Sequence, residues 1–89
     1  MKFFENRATD GNSAAEDWPS GCGTARAWGT FDGATVTLQA SFDGGTTWID
    51  VGEDATFTAA GMTNFSLGPC KLRGVVSGAG GTTSVSLAV

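Results

Sequence analysis

The stretch ATVTLQASFDGGTTWIDV, residues 34–51, decides the fold. Its first half alternates without a break. Ala34, Val36, Leu38 and Ala40 share one face; Thr35, Thr37, Gln39 and Ser41 share the other. A period of two is the mark of a strand with one face buried. Asp43-Gly44-Gly45-Thr46 then makes a tight turn, because Gly accepts a positive φ at little cost. Residues 47–51 return as a second short strand, with Ile49 and Val51 on one face and Trp48 and Asp50 on the other.

The same grammar continues in both directions. Upstream, residues 24–31 read as a strand ended by Asp32-Gly33, a two-residue hairpin signal. Downstream, Gly52-Glu53-Asp54 breaks the pattern and residues 55–58 form a weak strand. Ala59-Ala60-Gly61-Met62 reads as a turn, and residues 64–67 alternate with Phe65 and Leu67 inward. Gly68-Pro69 ends that strand, since proline offers no N–H to a ladder. Residues 70–77 and 82–89 are the last strands, joined by a flexible turn at 78–81, with Val85, Leu87 and Val89 facing in. The expected fold is all-β: a small antiparallel β-sandwich or flattened barrel of about seven to eight short strands, jelly-roll-like. Every connection reads as a short hairpin-type turn, which disfavours parallel units.

Residues 1–21 differ. Residues 2–8 read as an edge strand or arm and residues 9–20 as a loop, with Asp10-Gly11-Asn12-Ser13 as turn chemistry. The expected division is an N-terminal arm or edge segment at 1–21 and a β-sandwich domain at 22–89. Phe3 and Phe4, apolar in a polar segment, are candidate interface residues, suited to an anchor on a neighbouring copy.

Composition supports the class and narrows the function. Gly is 14 of 89 residues, about twice the usual ~7%, which suits a chain of many turns. Net charge is −4, and the five basic residues are scattered, so no stripe exists to neutralise phosphates and no nucleic-acid partner is expected. The chain has no histidine, which removes the commonest general base and every Ser-His or Cys-His pair. Two cysteines cannot form a four-cysteine zinc site. No run approaches the ~20 apolar residues of a membrane span, and Met-Lys-Phe-Phe-Glu-Asn-Arg has no apolar segment behind it to make a signal peptide. A soluble, acidic, non-enzymatic module without cofactor is expected. Carboxylate pairs could run glycoside hydrolysis in principle, but nothing sets two of them across a cleft.

The sharpest motif is Ser41-Phe42-Asp43-Gly44-Gly45-Thr46-Thr47-Trp48, which fits the Asp-box pattern Ser-x-Asp-x-Gly-x-Thr-Trp at every fixed position. Ser41, Asp43, Gly45, Thr47 and Trp48 read as a structural turn. Asp43 accepts bonds from its own backbone, Gly45 supplies the positive φ, Ser41 and Thr47 bridge, and Trp48 forms a lid. In sialidase-like propellers such boxes cap hairpins away from the catalytic centre, so the resemblance implies a fold element and not a sugar or metal site.

Residues 29–51, together with Lys71-Leu72-Arg73-Gly74-Val75-Val76-Ser77 and residues 82–89, resemble small β-sandwich virion proteins of tailed bacteriophages. The likeness covers residues 24–89. It implies a structural virion component, foremost a capsid decoration (cement) protein that binds and stabilises the assembled head. Its implied partners are the major capsid protein and further copies of itself, a homotrimer favoured over a dimer. The implied location is the capsid surface of the virion, after assembly in the host cytoplasm. The alternative is a carbohydrate-binding β-sandwich module of a phage tail or surface protein.

Three features keep two readings each. If Ala27, Gly29 and Phe31 face inward, Trp28 shares the outer face with Arg26, an interface anchor or a sugar-stacking platform. A register off by one would instead bury Trp28. Cys22 and Cys70 either pair, for ~4 kcal/mol on the chain-entropy model, or remain thiols, which is the expectation in a reducing compartment. Asp50, Glu53 and Asp54 are the densest acidic cluster and read as a solvated loop more readily than as a calcium site, which needs ~6–8 oxygens.

Overall fold

A computed structural model describes residues 2–52 and 55–89. Its strands are β1 (Lys2–Arg7), β2 (Gly11–Asn12), β3 (Glu16–Trp18), β4 (Gly21–Thr30), β5 (Thr35–Ser41), β6 (Ile49–Asp50), β7 (Thr56–Phe57), β8 (Gly61–Leu67), β9 (Cys70–Ser77) and β10 (Ser84–Ala88). One sheet runs β1-β10-β4-β8 and the other β2-β9-β5-β6, with β3 also on β9 and β7 also on β5. Every recorded pairing is antiparallel.

Two edges are strands broken in the middle. β2 and β3 lie end to end along β9, opposite Val76–Val75 and Leu72–Cys70. At the break Ser13 exchanges two bonds with Gly74: its N–H donates to the Gly74 carbonyl and its Oγ accepts the Gly74 N–H, each at 2.8 Å. β6 and β7 share the free side of β5 in the same way. With each broken pair taken as one strand, two four-stranded sheets stack, and the chain passes between them in jelly-roll order. The expected all-β sandwich is thus the observed fold.

The core forms between the sheets. β5 supplies Val36, Leu38 and Ala40, and β9 supplies Leu72 and Val76; β4 supplies Ala25 and Ala27, and β10 Val85 and Leu87, all buried. The alternation of residues 34–41 therefore points as the sequence implied. Gly74 sits among these side chains. A Cβ there would lie 2.6 Å from Leu87 Cδ2 and 2.7 Å from Phe4 Cε1, so glycine makes room for the aromatic ring.

Three expectations need correction. Asp32-Gly33 does make the tight turn, with positive φ at both residues and the Ala34 N–H on the Phe31 carbonyl at 2.8 Å. It does not make a hairpin, because β4 and β5 belong to different sheets. Stacked rather than paired, both strands bury their apolar faces in one core. The Asp32 carboxylate instead accepts the Thr82 N–H at 2.9 Å, tying this crossing to the one between β9 and β10. Among the described residues, the only consecutive strands that pair with each other are β5 and β6.

The second correction concerns the N-terminal segment. Residues 9–20 are not simply a loop, since β2 and β3 arise there. Of the arm and the edge segment that residues 1–21 allowed, the pairings show the edge segment. β1 pairs with β10, and Phe4 is 9% exposed within the core, so residues 2–18 are woven into both sheets as edge segments. The physical reason is area: each sheet of a small sandwich needs those edge strands to close its core. The third correction concerns residues 61 and 62, read as part of a turn, which open β8 instead.

Candidate interaction surface

The Asp-box residues converge on one hairpin. The Ser41 hydroxyl, 1% exposed, donates to Asp43 Oδ1 at 2.7 Å and accepts the Gly45 N–H at 2.8 Å. Asp43 Oδ1 also accepts the Thr47 N–H at 2.8 Å, and the Trp48 indole donates to the Gly45 carbonyl at 3.0 Å. Gly44 and Gly45 hold φ of 78° and 101°, conformations that a side chain resists. These bonds, the Thr47 N–H first and the Ser41 hydroxyl next, hold the Asp43 carboxyl down at about 2. The turn consumes its own polar groups, as the motif implied.

The hairpin also anchors a polar network on its sheet. The Arg73 guanidinium lies 4.3 Å from the centroid of the Trp48 ring, and its Nε donates to Gln39 Oε1 at 2.9 Å. Gln39 Nε2 donates in turn to Asp50 Oδ1 at 2.8 Å. Gln39 is the cross-strand partner of both Asp50 and Arg73, so register alone brings the three together.

The outer face of the other sheet is different. Along β4, Ala25 and Ala27 are buried while Arg26 and Trp28 are exposed, Trp28 at 39%. The register with Trp28 outward is the one observed. Arg26 lies directly opposite Met62 of β8, itself 73% exposed, and Trp28 opposite Ser86 of β10. Trp28, Arg26 and Met62 thus form one amphipathic patch. Sequence reading missed Met62 because it placed a turn there; extending the 64–67 alternation upstream by one period would have found it.

The remaining candidates separate. Phe4 is buried and Phe3 half-buried against the core, so neither is an exposed anchor. Both cysteines are free thiols: Cys22 is exposed on β4, and Cys70 is half-buried on β9, where burial raises its pKa. Of the acidic cluster, Asp50 bonds Gln39, while Glu53 and Asp54 lie outside the described residues. Trp18 meets Phe65 with ring centroids 5.1 Å apart, bridging an edge of each sheet, and its buried indole N–H has no bonding partner among the described residues.

Among the described residues no group of three His, Cys, Asp or Glu side chains is arranged to hold a metal ion, and no helix is long and apolar enough to cross a membrane. No protein-family model, curated protein or solved structure matches the chain.

Proposed function

We propose that this chain is a structural virion protein of a tailed bacteriophage, a decoration subunit that binds the major capsid protein on the assembled head. The observation that carries the reading is the patch of Trp28, Arg26 and Met62 on a sheet face whose strand β4, bearing Trp28 and Arg26, is held from both sides by β10 and β8. Tryptophan and arginine are the residue types that dominate binding energy at protein interfaces, and methionine adapts to an irregular partner. The patch sits on a jelly roll, a fold that recurs in viral capsid and lectin domains. The resemblance read in residues 24–89 favours the capsid reading of the two. The Asp-box hairpin, on the other sheet, stiffens the scaffold without offering a free ligand-binding group.

The test is co-sedimentation with expanded capsids. Stoichiometric binding, weakened by about 2 kcal/mol or more in Trp28→Ala, supports the reading. The carbohydrate reading rests on the same ring, since an exposed indole beside a guanidinium also suits a sugar face. Failure to bind capsids, with a glycan-dependent emission shift that vanishes in Trp28→Phe, would replace the first reading by the second.

A further inference from the structure

The sandwich has four strand edges, and three are blunted. β1 carries Lys2, Glu5 and Arg7, and its pairing with β10 shifts register twice. The β2–β3 edge is broken at Ser13, carries Glu16 and Asp17, and runs into Pro19. The β6–β7 edge consists of two-residue pieces, with Asp50 in the first. Breaks, charges and proline are the devices that stop an edge from recruiting another chain. β8, Gly-Met-Thr-Asn-Phe-Ser-Leu, is unbroken, holds no charge and no proline within its seven residues, and meets Pro69 only two residues beyond its end. It pairs with β4 over seven consecutive residues without a register shift, and among the described residues it pairs with nothing else. Every second residue of β8 therefore turns its N–H and C=O toward the open side. A recess of about 490 Å³ lies between Thr63–Leu67 of β8 and Val51, Gly52 and Ala55, which follow β6 and precede β7.

We propose that the free edge of β8 pairs antiparallel with β8 of a second copy of this chain, about a two-fold axis at Asn64. The strand is self-complementary in that register. Met62 meets Ser66 of the second copy and Thr63 meets its Phe65, a β-branched–aromatic pair of the kind that stabilises sheets. Gly61 meets Leu67, leaving space for the larger side chain. No charge opposes a like charge, because the strand holds none. The half-buried Phe65 and Leu67 at the recess gain cover from the partner strand. The product is a continuous eight-stranded sheet with both Trp28–Met62 patches on it. An isologous contact closes at two copies, which distinguishes it from the trimer that lattice symmetry would favour. The inference does not depend on the virion reading.

Seven residues a side fall below the ~20–30 of a standard interface, so the dimer is weak, half-formed near ~0.1 mM. Each copy carries −4, so added salt strengthens it by screening. Sedimentation equilibrium of the full chain up to ~1 mM should show monomer and dimer only. Asn64→Lys places two cations face to face on an exposed position and should weaken association at least ~10-fold. Asn12→Lys, on the opposite sheet's edge, should leave it unchanged. Hydrogen exchange at alternate β8 amides should slow as concentration rises. A monomer at ~1 mM, a trimer, or equal association by wild type and Asn64→Lys would each overturn the proposal. So would β8 amides that gain protection only when capsid protein is added, which would give the edge to the shell.

Discussion

Replacing Phe4 by alanine tests whether the N-terminal segment is part of the body. Phe4 is 9% exposed and lies against Leu87, its cross-strand partner, and the space left by Gly74. Truncating a buried Phe to Ala costs ~3–5 kcal/mol, and the lower figure suits an edge strand that can settle into the gap. A domain of 89 residues has about 4–13 kcal/mol of total stability at ~0.05–0.15 kcal/mol per residue. A loss of ~3 kcal/mol therefore removes a quarter to most of it and lowers Tm by roughly 12–24 °C. The assay is urea unfolding followed by tryptophan fluorescence and far-ultraviolet circular dichroism. The midpoint should fall with the m-value unchanged, and the two probes should coincide. Lys2→Ala, at an exposed position of the same strand, should change little. A loss under ~1 kcal/mol for Phe4→Ala, together with weakened binding to capsids or to other copies, would refute the core assignment and restore an arm.

Other consequences follow from single contacts. Gly74→Val forces a branched side chain against Leu87 and Phe4 and should destabilise by ~1–3 kcal/mol, seen as a lower Tm; unchanged melting would contradict the tight approach of the sheets at β9. Asp43 has its folded pKa depressed to about 2, so its contribution is complete above the unfolded value of ~3.9 and is lost as pH falls through about 2. The Tm gap between wild type and Asp43→Ala should accordingly narrow between pH ~4 and ~2; a gap constant across that window would exclude the carboxylate as the source. Thiol titration of the denatured, unreduced protein should count both cysteines. In the native state Cys22 should react well before Cys70, whose burial disfavours the thiolate, and equal rates would argue against that burial.

What the sequence determined by itself was local. The period of two in residues 34–41 told that Val36, Leu38 and Ala40 of β5 are buried, though not Ser41, because alternation is a property of the extended backbone and needs no partner. The Asp-box turn was legible as a self-contained unit, though not its Trp48 indole bond, because Ser41, Asp43, Gly45, Thr47 and Trp48 satisfy one another within eight residues. The outward face of Arg26 and Trp28 was one of two registers the residues allowed. Only the tertiary structure decided which strands are neighbours. Asp32-Gly33 encodes a turn geometry, but a turn does not say whether its flanks pair or stack; the need to bury both apolar faces in one core answers that. The same need drew Phe4 onto Leu87 and Ser13 onto Gly74, the latter 61 residues away along the chain, contacts that no local pattern announces. The open edge of β8 was invisible for the same reason. A strand is an edge only once every other strand has taken its place, and that is a property of the assembled sheets rather than of the seven residues themselves.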